Sequence, residues 1–298
     1  MIGLRSKRIM SDVVIYIILT VMVVIWLFPL VWMILRAFGT EAGNTSSMVF
    51  PDAFTLDHFK NLFPGGPGYT NRQGAHLYDY EGQPYLRWVG NTALIAVGSC
   101  VISTLFVLMV SYALSRLRFK MRKKLMNIAL ILGLFPGFLS MIALYFLFQF
   151  FSLAPNNLFG LMLAYSLGAG TGYYIVKGFF DTVPLAIDEA ARIDGASKNR
   201  IFWQMIIPLS KPIIIYTILT NFIAPWCDYV MASVFIKESK YYTVAVGIRY
   251  WITGLTLPST HFARFCAGGM LVSIPIVILF LIMQKFYVAG ITGGAAKG

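Results

Sequence analysis

The sequence predicts an all-α membrane protein with six transmembrane helices, and three observations carry that reading. Of its 298 residues, 58% are hydrophobic and only 12% charged, and the mean hydropathy is +0.73, far from the balance of a water-soluble domain. Uncharged stretches recur at the length of a bilayer, since hydrocarbon about 30 Å thick takes a helix of roughly 20 residues. Lys and Arg gather in alternate connecting segments, the distribution that fixes orientation in a membrane. Helix follows for such stretches because backbone groups in lipid must find their partners within the segment.

A single transmembrane domain, 1–298, is expected, with spans at about 13–35, 88–115, 125–151, 158–180, 209–236 and 265–285. The first is uncharged, and its apolar region is too long for a cleavable leader and lacks a small-residue cleavage site, so it is expected to remain as an anchor. Residues 125–176 hold no charge and are too long for one span; the turn SLAPNN, 152–157, divides them. Pro136 within the third span predicts a kink, and GAGTG at 168–172 predicts close helix packing. The fifth span carries Asn221 and Asp228 with Trp226 between them. Ionisable groups inside a span mark pathways, so both are candidate pathway residues. The plainer readings stay open beside it: Asp228 wetted or paired near the outer end, and Asn221 bonding one helix to another. Cys100, Cys227 and Cys266 all fall in predicted spans, which supports packing rather than a disulfide framework or zinc site.

With the N-terminus inside, the cytoplasmic segments collect Arg5, Lys7 and Arg8, then the cluster from Arg116 to Lys124, then Lys177, Arg192, Lys198, Arg200 and Lys211, and the tail with Lys285 and Lys297. That is most of the 24 basic residues, and it predicts both termini in the cytoplasm. The net charge of +12 is then a topology signal. Nucleic acid is not an expected partner, because the basic cluster lies tightly between spans without interleaved stacking aromatics; contact with anionic lipid is.

The first external loop, about 36–87, is rich in turn residues and then in tyrosines (Tyr69, Tyr78, Tyr80, Tyr85). It is expected to cap the span ends, with contact to sugar rings or a partner protein as the second reading. Within it, 54–63 reads as a short amphipathic helix at the interface. No G-x-x-x-x-G-K-[ST] loop is present, so the chain is not expected to hydrolyse ATP, and His58, His76 and His261 have no metal-ligand spacing.

Between the fourth and fifth spans lies the polar segment 181–208, containing EAARIDGASKNRIFWQMIIP. Pro184 suits the first turn of a helix, Asp188 and Glu189 follow inside it, and Gly195 can take the left-handed conformation that ends it. Ser197 can cap a second helix running to Pro208. Ala190 and Ala191 carry almost no side chain, so a partner surface could approach them, and Glu189 offers a directional charge.

In residue type and spacing, Glu189, Ala190, Ala191, Asp194, Gly195, Ala196, Phe202 and Pro208 resemble the cytoplasmic coupling loop, or EAA loop, of ATP-binding-cassette (ABC) importer permeases. Met205 and Ile207 are mild departures from that pattern. NTALIAV (91–97), SYALSRLRF (111–119), YTVAVGI (242–248) and GITGGAAKG (290–298) resemble the smaller permease of maltose/maltodextrin importers, and the likeness runs over essentially the whole chain. The extended loop around 63–84 departs from it. The resemblance implies the ABC importer permease fold, in a bacterial cytoplasmic membrane, moving an oligosaccharide by alternating access. It implies a heterodimer with a second permease subunit, two ATPase subunits that bind the ATP and Mg, and an extracytoplasmic sugar-binding protein toward which 237–264 reaches. It implies that Glu189, Ala190, Ala191, Asp194, Gly195 and Ala196 couple to the ATPase, and that the transmembrane sugar site lies largely in the other permease. The chain itself is then neither an enzyme nor a cofactor binder. The tail, 290–298, is too rich in Gly and Ala for a stable helix of its own, and the resemblance places it in a crevice between the ATPase subunits. Another carbohydrate as cargo (a galacto-, xylo- or uronate oligosaccharide, or glycerol phosphate) remains open. A different class, an ion-coupled secondary transporter, is disfavoured by the few intramembrane acids and the lack of matched broken helices.

Overall fold

The computed structural model describes residues 4–40, 50–64, 69–70, 76–77, 84–134, 136–167, 172–253 and 261–295. Nearly all of them are helical. In chain order the helices are α1 (Leu4–Phe38), α2 (Asp57–Lys60), α3 (Tyr85–Arg116), α4 (Arg122–Gly133), α5 (Gly137–Phe150), α6 (Leu158–Leu167), α7 (Gly172–Thr182) and α8 (Leu185–Ile193). There follow α9 (Lys198–Ile201), a π-helical turn (Phe202–Ile206), α10 (Ile207–Leu209), α11 (Lys211–Cys227), α12 (Val230–Phe235), a 3₁₀ turn (Ser239–Tyr241), α13 (Val244–Thr253) and α14 (Phe262–Ala295). The exception is a two-residue antiparallel pairing of β1 (Tyr69–Thr70) with β2 (His76–Leu77) in the first external loop.

Three stretches, Ser11–Phe38, Tyr85–Arg116 and Phe262–Gln284, are long and apolar enough to cross a membrane, and two bent helix pairs bring the number to 5 if each is one span. The expected third span is one of these pairs: α4 and α5 turn by 103° around Pro136, a bend far larger than the predicted kink. Pro136 has no N–H to continue α4, and it sits at the N-cap of α5 instead. The expected fourth span is shared between α6 and α7, and most of GAGTG lies outside the described residues. The expected fifth span is α11 followed by α12, with the break at Asp228.

The chain forms two compact units, one of residues 1–81 with 248–271 and the other of 82–247 with 272–298. In the first, α1 leaves its apolar side chains uncovered from Val13 to Val31. At its end, Thr55 N–H donates to Phe38 O and Thr40 N–H to Ala53 O, tying the following loop back. His58 Nε2 donates to Gly39 O at 2.8 Å, and burial lowers the His58 pKa, which keeps the ring neutral for that bond. Only Asp57–Lys60 is helical where 54–63 was expected to be. Arg264 is fully buried, its guanidinium 4.4 Å from the Trp251 ring and one Nη2 donating to Asn61 O.

In the second unit α3 is the axis, packed by α6, α7 and α11. Thr92, Ser99, Ser103, Ser111 and Ser115 are small and buried along it, which lets neighbouring backbones come close. Two apolar clusters lie along its length. One joins Ile95, Phe148, Leu161, Phe235 and Val246; the other joins Val107, Tyr112, Phe180, Ile201, Phe202 and Ile206. At the first cluster, Thr92 Oγ1 accepts the Val244 N–H and Trp88 Nε1 donates to Ser239 O. A Cβ at Gly247 would stand 2.0 Å from the Trp88 ring, so only glycine fits that approach. The turn at 152–157 is held by Asn156, whose Oδ1 accepts the N–H groups of Lys237 and Glu238.

The tail departs from expectation. α14 runs on through Gly290 to Ala295, because a helix already nucleated upstream adds residues at low cost even when they are glycines.

Candidate functional site: a polar hairpin and a buried cavity

The segment 181–208 folds as the expected hairpin. Pro184, with φ −57° and ψ 132°, precedes α8, and Asp194 and Gly195 end it. Gly195 has φ +78°; its N–H donates to Arg192 O, and the Ala196 N–H donates to Ala191 O. This pair of bonds is the Schellman closure, which leaves the left-handed position to glycine. Ser197 then caps α9, its Oγ accepting the Arg200 N–H. The second limb passes through the π-helical turn Phe202–Ile206, whose extra residue per turn points Phe202 and Ile206 into the core.

The two faces of α8 differ. Ala191 is buried in the cluster with Tyr112, Phe180 and Ile201, and Ala196 is half-buried against it. Glu189, Ala190, Arg192 and Asp194 are exposed, and Ile193 is 88% exposed. The expectation that Ala190 and Ala191 together await a partner is therefore corrected. Ala190 faces out, whereas the small size of Ala191 serves packing within this chain.

Beneath the hairpin sits Arg116, the last residue of α3. Its Nη2 donates to Phe180 O at 2.6 Å and to Val183 O at 2.7 Å, and its Nε lies 3.8 Å from Asp188 Oδ2. Both side chains are buried, at 1% and 3% exposure. One guanidinium thus holds the end of α7 and the first turn of α8. Beside it, Asp181 accepts from Ser115 Oγ at 2.6 Å and from Lys177 Nζ at 2.5 Å. Burial opposes its ionisation, but these two hydrogen bonds outweigh that and keep its carboxyl below the ordinary aspartate value. Nothing in the residue pattern marks Arg116 for this role beyond its position, ending an apolar helix ahead of the exposed basic run.

A second feature lies between α3, α6, α11 and the Asp228 break: a cavity of about 220 Å³ lined by Ser99, Ser103, Tyr165, Asn221 and Asp228, with Ala224 and Met231 completing it. Asp228 Oδ2 accepts the Tyr165 hydroxyl at 3.1 Å; Oδ1 accepts the N–H groups of Val230 and Met231 and so caps α12. Asn221 Nδ2 donates to Thr104 Oγ1 at 3.2 Å, bonding α11 to α3. Ser103 is 1% exposed and its Oγ has no hydrogen-bond partner. The two intramembrane candidates thus meet at one cavity, and each also bonds to a neighbouring element.

The chain is thus a helical, strongly apolar bundle with a polar hairpin folded onto it and a polar cavity between its helices. Residues 106–293 match the family described as binding-protein-dependent transport system inner membrane component. The chain is 34% identical over 284 residues to the galactooligosaccharides transport system permease protein GanQ of Bacillus subtilis, covering 95% of this chain and 94% of that one. It is 32% identical over 293 residues to the maltodextrin transport system permease protein MdxG of the same organism, covering 98% and 99%. With the maltodextrin permease MalD of Streptococcus pneumoniae it shares 31% identity over 298 residues, covering 99% of each. In fold it is similar to a chain of a bacterial ABC transporter involved in the import of the acidic polysaccharide alginate, with a TM-score of 0.72 at 22% identity, covering 96% and 99%. The chain belongs to the family of binding-protein-dependent ABC importer permeases and is embedded in the membrane.

Proposed function

We propose that the chain is one of two permease subunits in an ATP-driven importer of oligosaccharides of the maltodextrin or galactooligosaccharide kind. Its relatives' cargoes support the substrate class. The observation that carries the mechanism is the hairpin, whose inner face is bolted to the bundle while Glu189, Ala190 and Ile193 stand outward. In this reading that outward face, with a charge, a small residue and an isoleucine 88% exposed, is where the ATPase docks.

In this reading Glu189, Ala190 and Asp194 face the ATPase, while Ala191, Gly195 and Ala196 shape the hairpin that meets it. Two ATP-binding cassette subunits bind the ATP and Mg; the permease carries no cofactor and does no chemistry. A second permease completes the pathway, in which Asn221 and Asp228 take part, and an extracytoplasmic binding protein delivers the sugar. Closure of the ATPase pair pushes the hairpin, and the bundle follows by alternating access. The chain crosses the membrane six times with both termini inside, and the exposed basic residues Arg118, Lys120, Lys123 and Lys124 meet anionic lipid.

Purification of the complex tests this. An ATPase should co-purify, its hydrolysis should rise with sugar-loaded binding protein, and Glu189→Lys should blunt that rise without loss of membrane insertion. Uptake by this chain alone, driven by a proton or sodium gradient, would overturn it.

A further inference from the structure

We infer that the cavity at Asp228 is a subsite for one ring of an uncharged sugar chain, and that its lone carboxylate turns acidic sugars away. This rests on the oligosaccharide-import reading and goes beyond it, since the resemblance to maltose-type importers assigns the transmembrane sugar site largely to the other permease.

The size fits a ring rather than a chain. At about 220 Å³ the cavity falls below the ~300–1,000 Å³ usual for whole small-molecule ligands. Its chemistry suits alcohols, which both donate and accept. A carboxylate offers about four lone-pair sites, and Asp228 uses three, for the Tyr165 hydroxyl and the N–H groups of Val230 and Met231. The Tyr165 oxygen, having donated, can still accept. Asn221 commits one N–H to Thr104 and keeps its carbonyl and the other N–H. Ser103 contributes a buried hydroxyl with no partner, a group that is costly to leave unmade. An apolar occupant would leave all of these unmatched.

Charge selects further. The lining holds one carboxylate and no Lys, Arg or His. A uronate or phosphate here would face a like charge with no cation in the lining to compensate it. The alginate importer shares the fold and handles an acidic polysaccharide; this cavity is built for the opposite cargo.

The experiment uses the whole transporter, purified with its partners, and two probes, maltotriose and trigalacturonate. In a Ser103→Cys complex that also carries Cys100→Ser, alkylation at position 103 by a small neutral reagent is read by mass spectrometry of that peptide, which then separates it from the remaining native cysteines. Maltotriose should slow the labelling several-fold, and trigalacturonate at equal concentration should not. Adding Asp228→Asn keeps the helix cap, because asparagine caps as well as aspartate, and removes the charge. It should weaken maltotriose protection about tenfold, the loss expected for a charge-assisted hydrogen bond, and let trigalacturonate protect. Equal protection by both sugars in the parent, or by neither, overturns the subsite. Should Ser103→Cys not assemble, uptake of maltotriose into proteoliposomes at saturating binding protein replaces it. Tyr165→Phe should then lower uptake per ATP hydrolysed, and unchanged uptake counts against the subsite. If the unmodified complex imports no oligosaccharide, the import reading falls instead, so the two failures are distinct.

Discussion

Arg116 shows how far one side chain can differ from its neighbours in sequence. In the basic cluster that begins at the end of α3 it looks like one more orienting charge, yet it alone of that cluster is folded under the hairpin, held by two carbonyls and Asp188. Removing one member of a buried ion pair leaves the other uncompensated, at about 3–5 kcal/mol. Arg116→Met should therefore lower the thermal midpoint of the complex, and it should raise ATP hydrolysed per sugar moved because the hairpin loses its tie to α3. Arg116→Lys keeps the charge but not the planar fork that reaches two carbonyls at once, so it should rescue stability in part and coupling less. Both ratios are read in one reconstituted assay. Gly195 makes the complementary case. Its φ of +78° was foreseeable from the position of glycine after a helix, and a β-branched residue there meets a steric penalty of at least about 1–2 kcal/mol. Gly195→Val should lower the midpoint while Gly195→Asn, which tolerates the left-handed region, should restore most of it; equal behaviour of the two would refute the steric account.

At the scale of elements, the hairpin was legible because caps and turns are local: Pro184, Gly195 and Ser197 each act within a few residues of themselves. Which face of α8 turns inward was not, because that depends on α3 and α7 arriving from distant parts of the chain. Hydropathy marks apolar stretches and not the breaks within them, for one reason. It averages over a window, and a 103° turn at Pro136 or a capped restart at Asp228 changes that average little. Asn221 and Asp228 were singled out as polar groups in an apolar run, but Ser103 and Tyr165, which complete their cavity, read as ordinary span residues. The outward face of α8 gives a prediction of its own. Ile193 touches little within the chain, so Ile193→Ser should alter stability by less than about 0.5 kcal/mol. If the hairpin is the docking element, the same change should release the ATPase during purification at moderate salt. Retention equal to the parent would remove Ile193 from the interface.

For the molecule as a whole, α1 is the most apolar of the long helices, and its apolar side chains lie uncovered within its own unit. None of its most apolar window is buried, and Trp26 is 73% exposed. A surface this apolar is suited to contact with lipid tails. Orientation is expected from charge, through Arg5, Lys7 and Arg8 in the first turns of α1 and the basic residues following α3. By the same rule the hairpin is expected inside and α2 outside. A cysteine introduced by Asp57→Cys should react in intact cells with a membrane-impermeant maleimide, whereas Ser197→Cys should react only after permeabilisation, each compared with the parent to subtract the native cysteines. Labelling of Ser197→Cys from outside would invert the topology. It would also remove the hairpin from the reach of a cytoplasmic ATPase, and the mechanism that depends on it.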